Sequence, residues 1–176
     1  MKLFSCFSGI EAASVVLKPL GFKTIGLSEI DPFCCELLKQ KFPGITNFGD
    51  IKQHRAWRLS TAIDLVVGGP PCVSYSVAGQ RQGMADARGN LTLQYLSFLK
   101  QAKPRWFILE NVYGLLSSNG GKDFGTILWH LAQFGYGFAY KIFDAQYYGV
   151  PQRRRRLFIV GYLGDWRRAA AVLFEP

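Results

Sequence analysis

A single cysteine follows two prolines in residues 68–83, GGPPCVSYSVAGQRQG. Each proline fixes its own φ angle and biases the preceding residue toward extended geometry, so the backbone of Cys72 is directed before any ligand binds. The apolar run 63–67 before this loop is typical of a strand buried in a parallel sheet, which places Cys72 where open α/β sheets bind ligands. A thiol held in this way suits a nucleophile, although a lone cysteine is also a common small buried hydrophobic residue.

Glu110 and Asn111 end another apolar run, residues 105–112, RWFILENV. A carboxyl group at the end of a buried strand, facing the same crevice as Cys72, has a proton to give when its surroundings are apolar. A cysteine nucleophile beside a glutamic acid is a coherent chemical pair. The alternative is that Glu110 caps the following segment or pairs with one of the many arginines.

Three further strand ends indicate a nucleotide-like ligand. The stretch FSCFSGIEAAS runs through Gly9 into a helix, where backbone N–H groups can receive a carboxylate or phosphate. Glu29 in LSEID follows about twenty residues later, the spacing at which nucleotide-binding folds offer a carboxylate to ribose. After an expected third strand, Asp50 in FGDI could accept from an adenine amino group while Ile51 covers the ring. Asp31 is more simply a helix cap, and Asp50 alone would be typical of a turn.

These residues need a fold that brings strand ends together. Apolar runs predict strands at residues 3–7, 25–27, 63–67, 106–109, 138–143 and 157–163. Helices are predicted at residues 10–19, 32–41, 91–102 and 123–133, with Asp31-Pro32 typical of a helix start. The alternation predicts a doubly wound, mostly parallel α/β sheet of Rossmann-like type, in one domain over residues 1–176.

Composition limits the class of protein. A hydrophobic content of 49% supports a substantial core, and a formal charge of +9 favours a polyanionic partner. The four cysteines lack paired metal-type spacing and the two histidines stand alone, so we expect no metal site and read Cys6, Cys34 and Cys35 as packing residues. With no apolar stretch long enough to span a membrane and no signal peptide, we expect a cytoplasmic or nucleoid-associated protein.

The ordered motifs closely resemble the amino-terminal part of a DNA cytosine-5 methyltransferase. FSGIEAAS is similar to the family's cofactor loop, LSEID to its ribose-binding acid, and GDI to its adenine-binding turn. GGPPCVSYSVAGQR is similar to the nucleophile loop, ENV to the acid motif and QRRRRLFIVG to the arginine motif. The resemblance covers essentially the whole chain and implies a bacterial or phage enzyme of the restriction–modification type.

The resemblance implies a specific chemistry. Cys72 would add to C6 of a flipped-out cytosine in DNA, so that C5 can attack the methyl group of S-adenosylmethionine. Glu110 would hold and protonate N3, while Asn111 helps to fix the loop. Loss of the C5 proton and release of Cys72 would then restore the double bond.

It also implies the binding residues. Cofactor contacts are expected from Phe7, Ser8, Gly9, Ile10, Glu29, Ile30, Asp50, Ile51, Gly69 and Pro71. The target pocket is expected to include Arg154 and Arg156, and DNA contacts to come from Ser76, Arg81, Arg88 and Gln152. If QRRRR enters a strand, Arg153 and Arg155 lie on alternate positions and supply mainly surface charge.

The chain departs from the family's pattern in three places. Glu11 and Ala12 stand where further glycines are usual, and Val73 where glutamine is common. After Tyr162 the sequence has no target-recognition region and no carboxyl-terminal motifs, which predicts a catalytic domain that is cut short or completed by a second chain. Two other functions stay open: a nonenzymatic remnant that binds DNA or cofactor, and a methyltransferase acting on cytosine in tRNA.

Overall fold

The structure is a computed structural model that describes residues 1–71 and 90–174. Its strands are β1 (Lys2–Cys6), β2 (Lys23–Ser28), β3 (Leu65–Gly68), β4 (Trp106–Val112), β5 (Tyr136–Asp144) and β6 (Arg155–Leu163). Its α-helices are α1 (Ala12–Leu17), α2 (Pro32–Lys41), α3 (Asn90–Ala102), α4 (Lys122–Gln133) and α5 (Trp166–Phe174). Short 3-10 segments cover Lys18–Leu20, Ile51–Ala56, Tyr113–Gly121 and Ala145–Tyr148.

The six strands form one sheet in the order β2-β1-β3-β4-β6-β5. Strand β1 pairs in parallel with β2 and β3, and β3 pairs in parallel with β4. Strand β6 is antiparallel to both β4 and β5, because the short connection after β5 returns the chain directly alongside it. The predicted doubly wound, mostly parallel fold is confirmed, and the strand order reverses between β1 and β3, where such sheets bind ligands.

Most elements start and end near the predicted residues, and local signals explain why. Helix α2 matches its predicted range because the Asp31 carboxylate accepts a hydrogen bond from Cys34 N at 2.9 Å and Pro32 occupies the first turn. The bond to Cys34 lowers the pKa of Asp31. The six predicted strands are all present, with ends shifted by a few residues.

Two predictions of local structure are wrong. The segment directly before Asp50, residues 42–50, is not a strand and contributes a single parallel bridge, between Leu27 and Asn47. Gly44 and Gly49 in this segment adopt positive φ angles, which are unsuited to a strand. The first helix is shorter than expected, since Pro19 interrupts it and the chain continues as a 3-10 turn. Helix α5 was not predicted at all.

The main core lies between one face of the sheet and helices α3 and α4. Phe4, Phe98 and Phe107 are fully buried there. Tyr95 from α3 crosses to the ends of β3 and β4, where its hydroxyl donates to Ile108 O at 3.0 Å. A Cβ on Gly68 would lie 2.4 Å from the Tyr95 ring, so glycine is required for this close approach at the end of β3. The contacts of Tyr95 therefore hold the end of β3, the strand that leads into the Pro-Pro loop.

A smaller apolar cluster covers the opposite face near β6. It contains Val160 together with Ala169 and Leu173 of α5. Among the helices of the described residues, none combines the length and apolar character needed to cross a membrane. Within the same residues, no group of three or more histidine, cysteine or acidic side chains is placed to hold a metal ion.

Candidate active site

A cavity of about 250 Å³ opens at the carboxyl ends of the parallel strands. Its lining comes from the ends of β1, β2 and β3, the turn that leads into the segment Ile51–Ala56, and the start of α3: Phe7, Ser28, Glu29, Ile30, Gly49, Asp50, Ile51, Gly69, Pro71 and Leu91. We call it the first cavity. Its volume is near the lower bound of about 300 Å³ for small-molecule sites. It lies beside the point where the strand order reverses, so the topology explains its position.

The carboxylate of Glu29 is held by backbone amides. Its Oε2 accepts from Gly9 N at 2.7 Å, and its Oε1 accepts from Ile30 N at 2.8 Å and Asp31 N at 2.9 Å. A carboxylate has about four acceptor positions, so capacity for a ligand hydroxyl group remains. The N–H of Gly9 is therefore engaged by Glu29, which corrects the expectation that it is free to receive a ligand carboxylate.

Asp50 lies on the other side of the first cavity. Its Oδ1 caps the segment Ile51–Ala56 by accepting from Lys52 N at 2.9 Å. The local role of Asp50 is thus that of a turn and capping residue, and Oδ2 can still accept from a ligand. The following residue, Ile51, is buried and contributes an apolar wall.

Asn47 joins the two acidic sides of the first cavity, and sequence reasoning missed it. Its Oδ1 accepts from Glu29 N at 3.0 Å and Gly49 N at 3.1 Å, while its Nδ2 donates to Glu29 O at 3.1 Å and contacts Cys35 Sγ at 3.3 Å. One side chain therefore fixes the loop of Glu29 and the turn that leads into Asp50. An asparagine before a Gly-Asp turn was the available signal, but its distant partner was not readable from the sequence.

Seven of the ten residues predicted to contact the cofactor line the first cavity: Phe7, Glu29, Ile30, Asp50, Ile51, Gly69 and Pro71. Ser8, Gly9 and Ile10 do not. The Ser8 hydroxyl donates to Ser5 O at 3.1 Å, and Ile10 is largely exposed. Ser28, Gly49 and Leu91 are lining residues that were not predicted.

Glu11, two residues after Gly9, is fully buried. It adopts φ 62°, and its Oε1 accepts from Ser14 N at 2.9 Å and Ser14 Oγ at 2.6 Å, so the carboxylate caps α1. Its Oε2 has no hydrogen-bond partner within the described residues. Burial, and secondly the charge of Glu11, raise the pKa of the Cys6 thiol well above its ordinary value. Cys6 therefore stays neutral and is a packing residue, as predicted.

A second cavity of about 430 Å³ lies at the same edge of the sheet, near the carboxyl ends of β4 and β5. We call it the second cavity. It is lined by Glu110, Phe143, Ala145, Tyr148, Arg154, Arg156 and Phe158. Arg156 Nε lies 2.9 Å from Glu110 Oε1, and the two side chains are 25% and 31% exposed. The alternative that Glu110 pairs with an arginine is therefore confirmed, and the condition of apolar surroundings is not met, because Arg156 contacts one carboxylate oxygen and the pair is partly exposed.

Gly69 brings the two cavities together. A Cβ added to this residue would lie 2.9 Å from Glu110 Oε2. Gly69 lines the first cavity and Glu110 lines the second, so the glycine backbone is the thin wall between them. Any side chain at position 69 would therefore press against the Glu110 carboxylate.

The arginine run alternates as the sequence analysis expected for a strand. Arg154 and Arg156 both line the second cavity. Arg155 leaves that cavity and places its guanidinium 4.4 Å from the centre of the Tyr113 ring. Arg153 and Gln152 are exposed on the loop before β6.

Asn111 is buried beside Glu110. Its Oδ1 accepts from Val112 N at 2.8 Å, and its Nδ2 has no hydrogen-bond partner within residues 1–71 and 90–174. Four predicted residues, Cys72, Ser76, Arg81 and Arg88, lie outside the described residues. Cys72 directly follows Pro71, which lines the first cavity.

Comparison with known proteins identifies the family. The family model for C-5 cytosine-specific DNA methylase matches residues 1–173. The chain is 38% identical to the Type II methyltransferase M.AquIA of Picosynechococcus sp., covering 91% of this chain and 71% of that protein. It is 35% identical to the orphan methyltransferase M.Rho11sI of Bacillus phage rho11s, covering 94% of this chain and 33% of the relative.

A solved structure supports the fold independently. A prophage-encoded E. coli protein, described as a DNA modification methyltransferase, superposes with a TM-score of 0.76 at 23% sequence identity. The superposition covers 93% of this chain and 47% of that one. The ordered motifs, the sheet and the family match agree, and the chain belongs to the family of C-5 cytosine-specific DNA methylases.

Proposed function

We propose that this chain forms the cofactor-binding and catalytic part of an enzyme that methylates C5 of cytosine in DNA. The observation that carries the proposal is the contact through Gly69 between two unlike cavities. One offers carboxylates and apolar walls, and the other offers Glu110 together with arginines. A methyl donor and an acceptor base need adjacent sites of these two kinds.

The residues of the first cavity fit S-adenosylmethionine. Glu29 can accept from ribose hydroxyl groups and Asp50 from the adenine amino group, while Ile51 and Leu91 give apolar surfaces for a flat ring. The two carboxylates also favour a positively charged ligand. When bound, S-adenosylmethionine supplies the electrophilic methyl group.

The second cavity suits the polar edge of cytosine. That edge presents an amino donor at N4, an acceptor at N3 and a carbonyl oxygen at C2. The arginines can donate to the carbonyl oxygen, while the Glu110 carboxyl can donate a proton to N3 or accept from N4. Phe143, Tyr148 and Phe158 provide aromatic walls for the ring.

The covalent step is assigned to Cys72. The Cys72 thiol would lose its proton to solvent, and the thiolate would form a bond to C6, so that the C5–C6 π electrons become available at C5. Glu110, which must take up a proton when the base binds because its carboxylate is paired with Arg156 in the free chain, would give that proton to N3. C5 would then attack the methyl group, whose bond to the sulfonium sulfur of S-adenosylmethionine would break, leaving the demethylated product. Loss of the C5 proton supplies the electron pair that restores the double bond, the sulfur–C6 bond breaks, and the N3 proton returns to Glu110.

Duplex DNA hides C6, so the base must leave the helix, at a cost of a few kcal/mol. The formal charge of +9 supports binding to the phosphate backbone. The chain spans 71% of M.AquIA and about a third of the phage relative. We therefore propose that a further region, fused or on a second chain, supplies target recognition, and that the assembly acts on DNA in the bacterial cytoplasm.

Covalent trapping tests this function. DNA containing 5-fluorocytosine cannot lose its C5 substituent as a proton, so the chain with a recognition region from a relative should form a stable adduct. Peptide mapping should locate it at Cys72, and Cys72→Ser should abolish it while the circular dichroism spectrum is unchanged. An adduct at Cys34 or Cys35, or none despite confirmed cofactor binding, would contradict the proposal.

A further inference from the structure

The loop between β5 and β6, residues 145–154, carries an unusual concentration of exposed apolar side chains. Tyr147 is 79% exposed, Tyr148 is 64% exposed and Val150 is 46% exposed. We call this segment the tyrosine loop. It lies at the same edge of the sheet as Glu110, because β5 and β4 run in the same direction and the loop begins where β5 ends.

The tyrosine loop is held in one conformation by its own hydrogen bonds. Asp144 Oδ1 accepts from Arg154 N at 3.1 Å and caps the segment Ala145–Tyr148. Ala145 N donates to Arg154 O at 3.0 Å and closes the base of the loop. Aromatic rings on a loop that hydrogen bonds already hold in place lose less conformational entropy on binding than rings on a flexible segment.

The position of the loop links it to the second cavity. Tyr148 lines that cavity and packs against Phe143, with ring centres 5.9 Å apart. Tyr147 precedes Tyr148 in the chain and is the most exposed aromatic residue of the loop, so it lies one residue from the lining of the second cavity. Arg153 and Arg154 are exposed on the same loop and add positive charge to it.

This combination favours one class of partner. Single-stranded or unpaired nucleic acid is bound by aromatic rings that stack on bases and by cations that contact phosphates. The removal of a target base from a duplex leaves its neighbours, and the base opposite, without a stacking partner. An exposed tyrosine one residue from the lining of the target cavity can replace that partner.

We propose that Tyr147 stacks on a DNA base left unstacked beside the extruded cytosine. The inference rests on the proposed function and extends it by naming a residue that contacts the distorted duplex. Its ring contributes affinity for unpaired DNA, and the neighbouring arginines contribute affinity for any DNA. The two contributions are therefore separable by mutation.

Fluorescence anisotropy with labelled duplexes tests the proposal. One duplex is fully paired, and the other has one abasic site whose opposite base is unpaired; both are built from A·T pairs alone, so neither carries a cytosine. The chain should bind the abasic duplex more tightly, and Tyr147→Ala should reduce that preference by roughly 5- to 100-fold, the range for loss of one base–aromatic stack. Tyr147→Phe should retain it.

Trp166→Ala is the matched control. Trp166 is also an exposed aromatic residue beside an arginine, with Arg167 5.5 Å from its ring centre, but it follows β6 at the opposite edge of the sheet. Trp166→Ala should leave the preference unchanged. The proposal is overturned if Tyr147→Ala has no effect, if both alanine variants lose the preference equally, or if the unaltered chain has no preference.

The result does not depend on methyl transfer, because the probe carries no target cytosine. A chain that forms no covalent adduct but shows the Tyr147-dependent preference would contradict the proposed function and keep the stacking role. A chain that forms the adduct with undiminished binding in Tyr147→Ala would keep the function and reject the stacking role.

Discussion

Arg156 Nε lies 2.9 Å from Glu110 Oε1, across the antiparallel pair of β4 and β6. The partners are diagonal neighbours: Glu110 is opposite Phe158, while Arg156 is opposite Val112. Their contact therefore depends on the register of two strands, because the two residues are 46 positions apart in the sequence. It orients the carboxyl group that the proposed mechanism needs at N3.

Arg156→Lys should reduce methyl transfer on the order of 10²-fold, the scale for losing one donor to a reacting oxygen. A lysine keeps the charge but cannot reproduce the planar fork of donors. Single-turnover methylation kinetics with the recognition region present measure the effect. Arg155→Lys is the control, since Arg155 contacts Tyr113 outside the second cavity, and its rate should change only a few-fold. Equal losses in both variants would reject the assignment of Arg156.

Gly69→Ala should abolish activity while the protein remains folded. The added Cβ would lie 2.9 Å from Glu110 Oε2, so either the carboxylate or the loop before Cys72 must move. Gly125→Ala in α4 is the control, because a Cβ there meets no atom within 4 Å. That variant should keep its activity and gain about 0.5 to 1 kcal/mol of stability from helix propensity. Methyl transfer and thermal unfolding together distinguish a site effect from unfolding.

Asn47→Ala should weaken cofactor binding by about 5- to 10-fold, the effect of losing roughly one net hydrogen bond's contribution. The substitution removes the bridge between the Glu29 loop and the Gly49 turn. Calorimetry with S-adenosylmethionine and its demethylated product measures the change. Gln40→Ala on the surface of α2 serves as the reference, since among the residues that the structure describes its side chain bonds to Glu36 alone, one turn away. Unchanged affinity in Asn47→Ala would show that the bridge has no role in binding.

Stability should fall at alkaline pH because of Tyr95. Burial raises the pKa of this hydroxyl well above its ordinary value of 10.0. A raised folded-state pKa means that the stabilisation is complete below the unfolded-state value, and is lost as pH rises from there toward the folded-state value. The free energy of unfolding should therefore decrease above about pH 10, and Tyr95→Phe should reduce that slope. Urea denaturation between pH 8 and pH 11 measures the free energy of unfolding. An equal decrease with pH in Tyr95→Phe and in the unaltered chain would contradict the prediction.

The sequence predicted the elements whose signals are local. Asp31 and Pro32 start α2 by capping and by a fixed φ angle, and the strands follow from apolar runs. Helix α5 was missed because only a short amphipathic turn pattern marks it, and its stability comes from packing on β6. A strand before Asp50 was expected, but positive φ angles at Gly44 and Gly49 give a turn instead.

The residues of the candidate site also separate into those with a local sequence signal and those that depend on distant contacts. Glu29 was predicted from its spacing of about twenty residues beyond the glycine turn, and Asp50 from its place after an expected strand that is absent; both line the first cavity. The bridging role of Asn47, the capping role of Glu11 and the closeness of Gly69 to Glu110 depend on contacts between separate segments. Such contacts are set by strand order and loop conformation, which no local pattern encodes.

The most direct measurement is transfer of tritiated methyl groups to DNA and to tRNA, with the modified base identified by mass spectrometry. The chain assembled with a recognition region should yield 5-methylcytosine in DNA, and Glu110→Gln, which keeps the shape of the side chain but has no carboxyl proton, should lose most of that labelling. Labelling of tRNA alone, or no labelling of either nucleic acid by an assembly that binds the cofactor, would contradict the account.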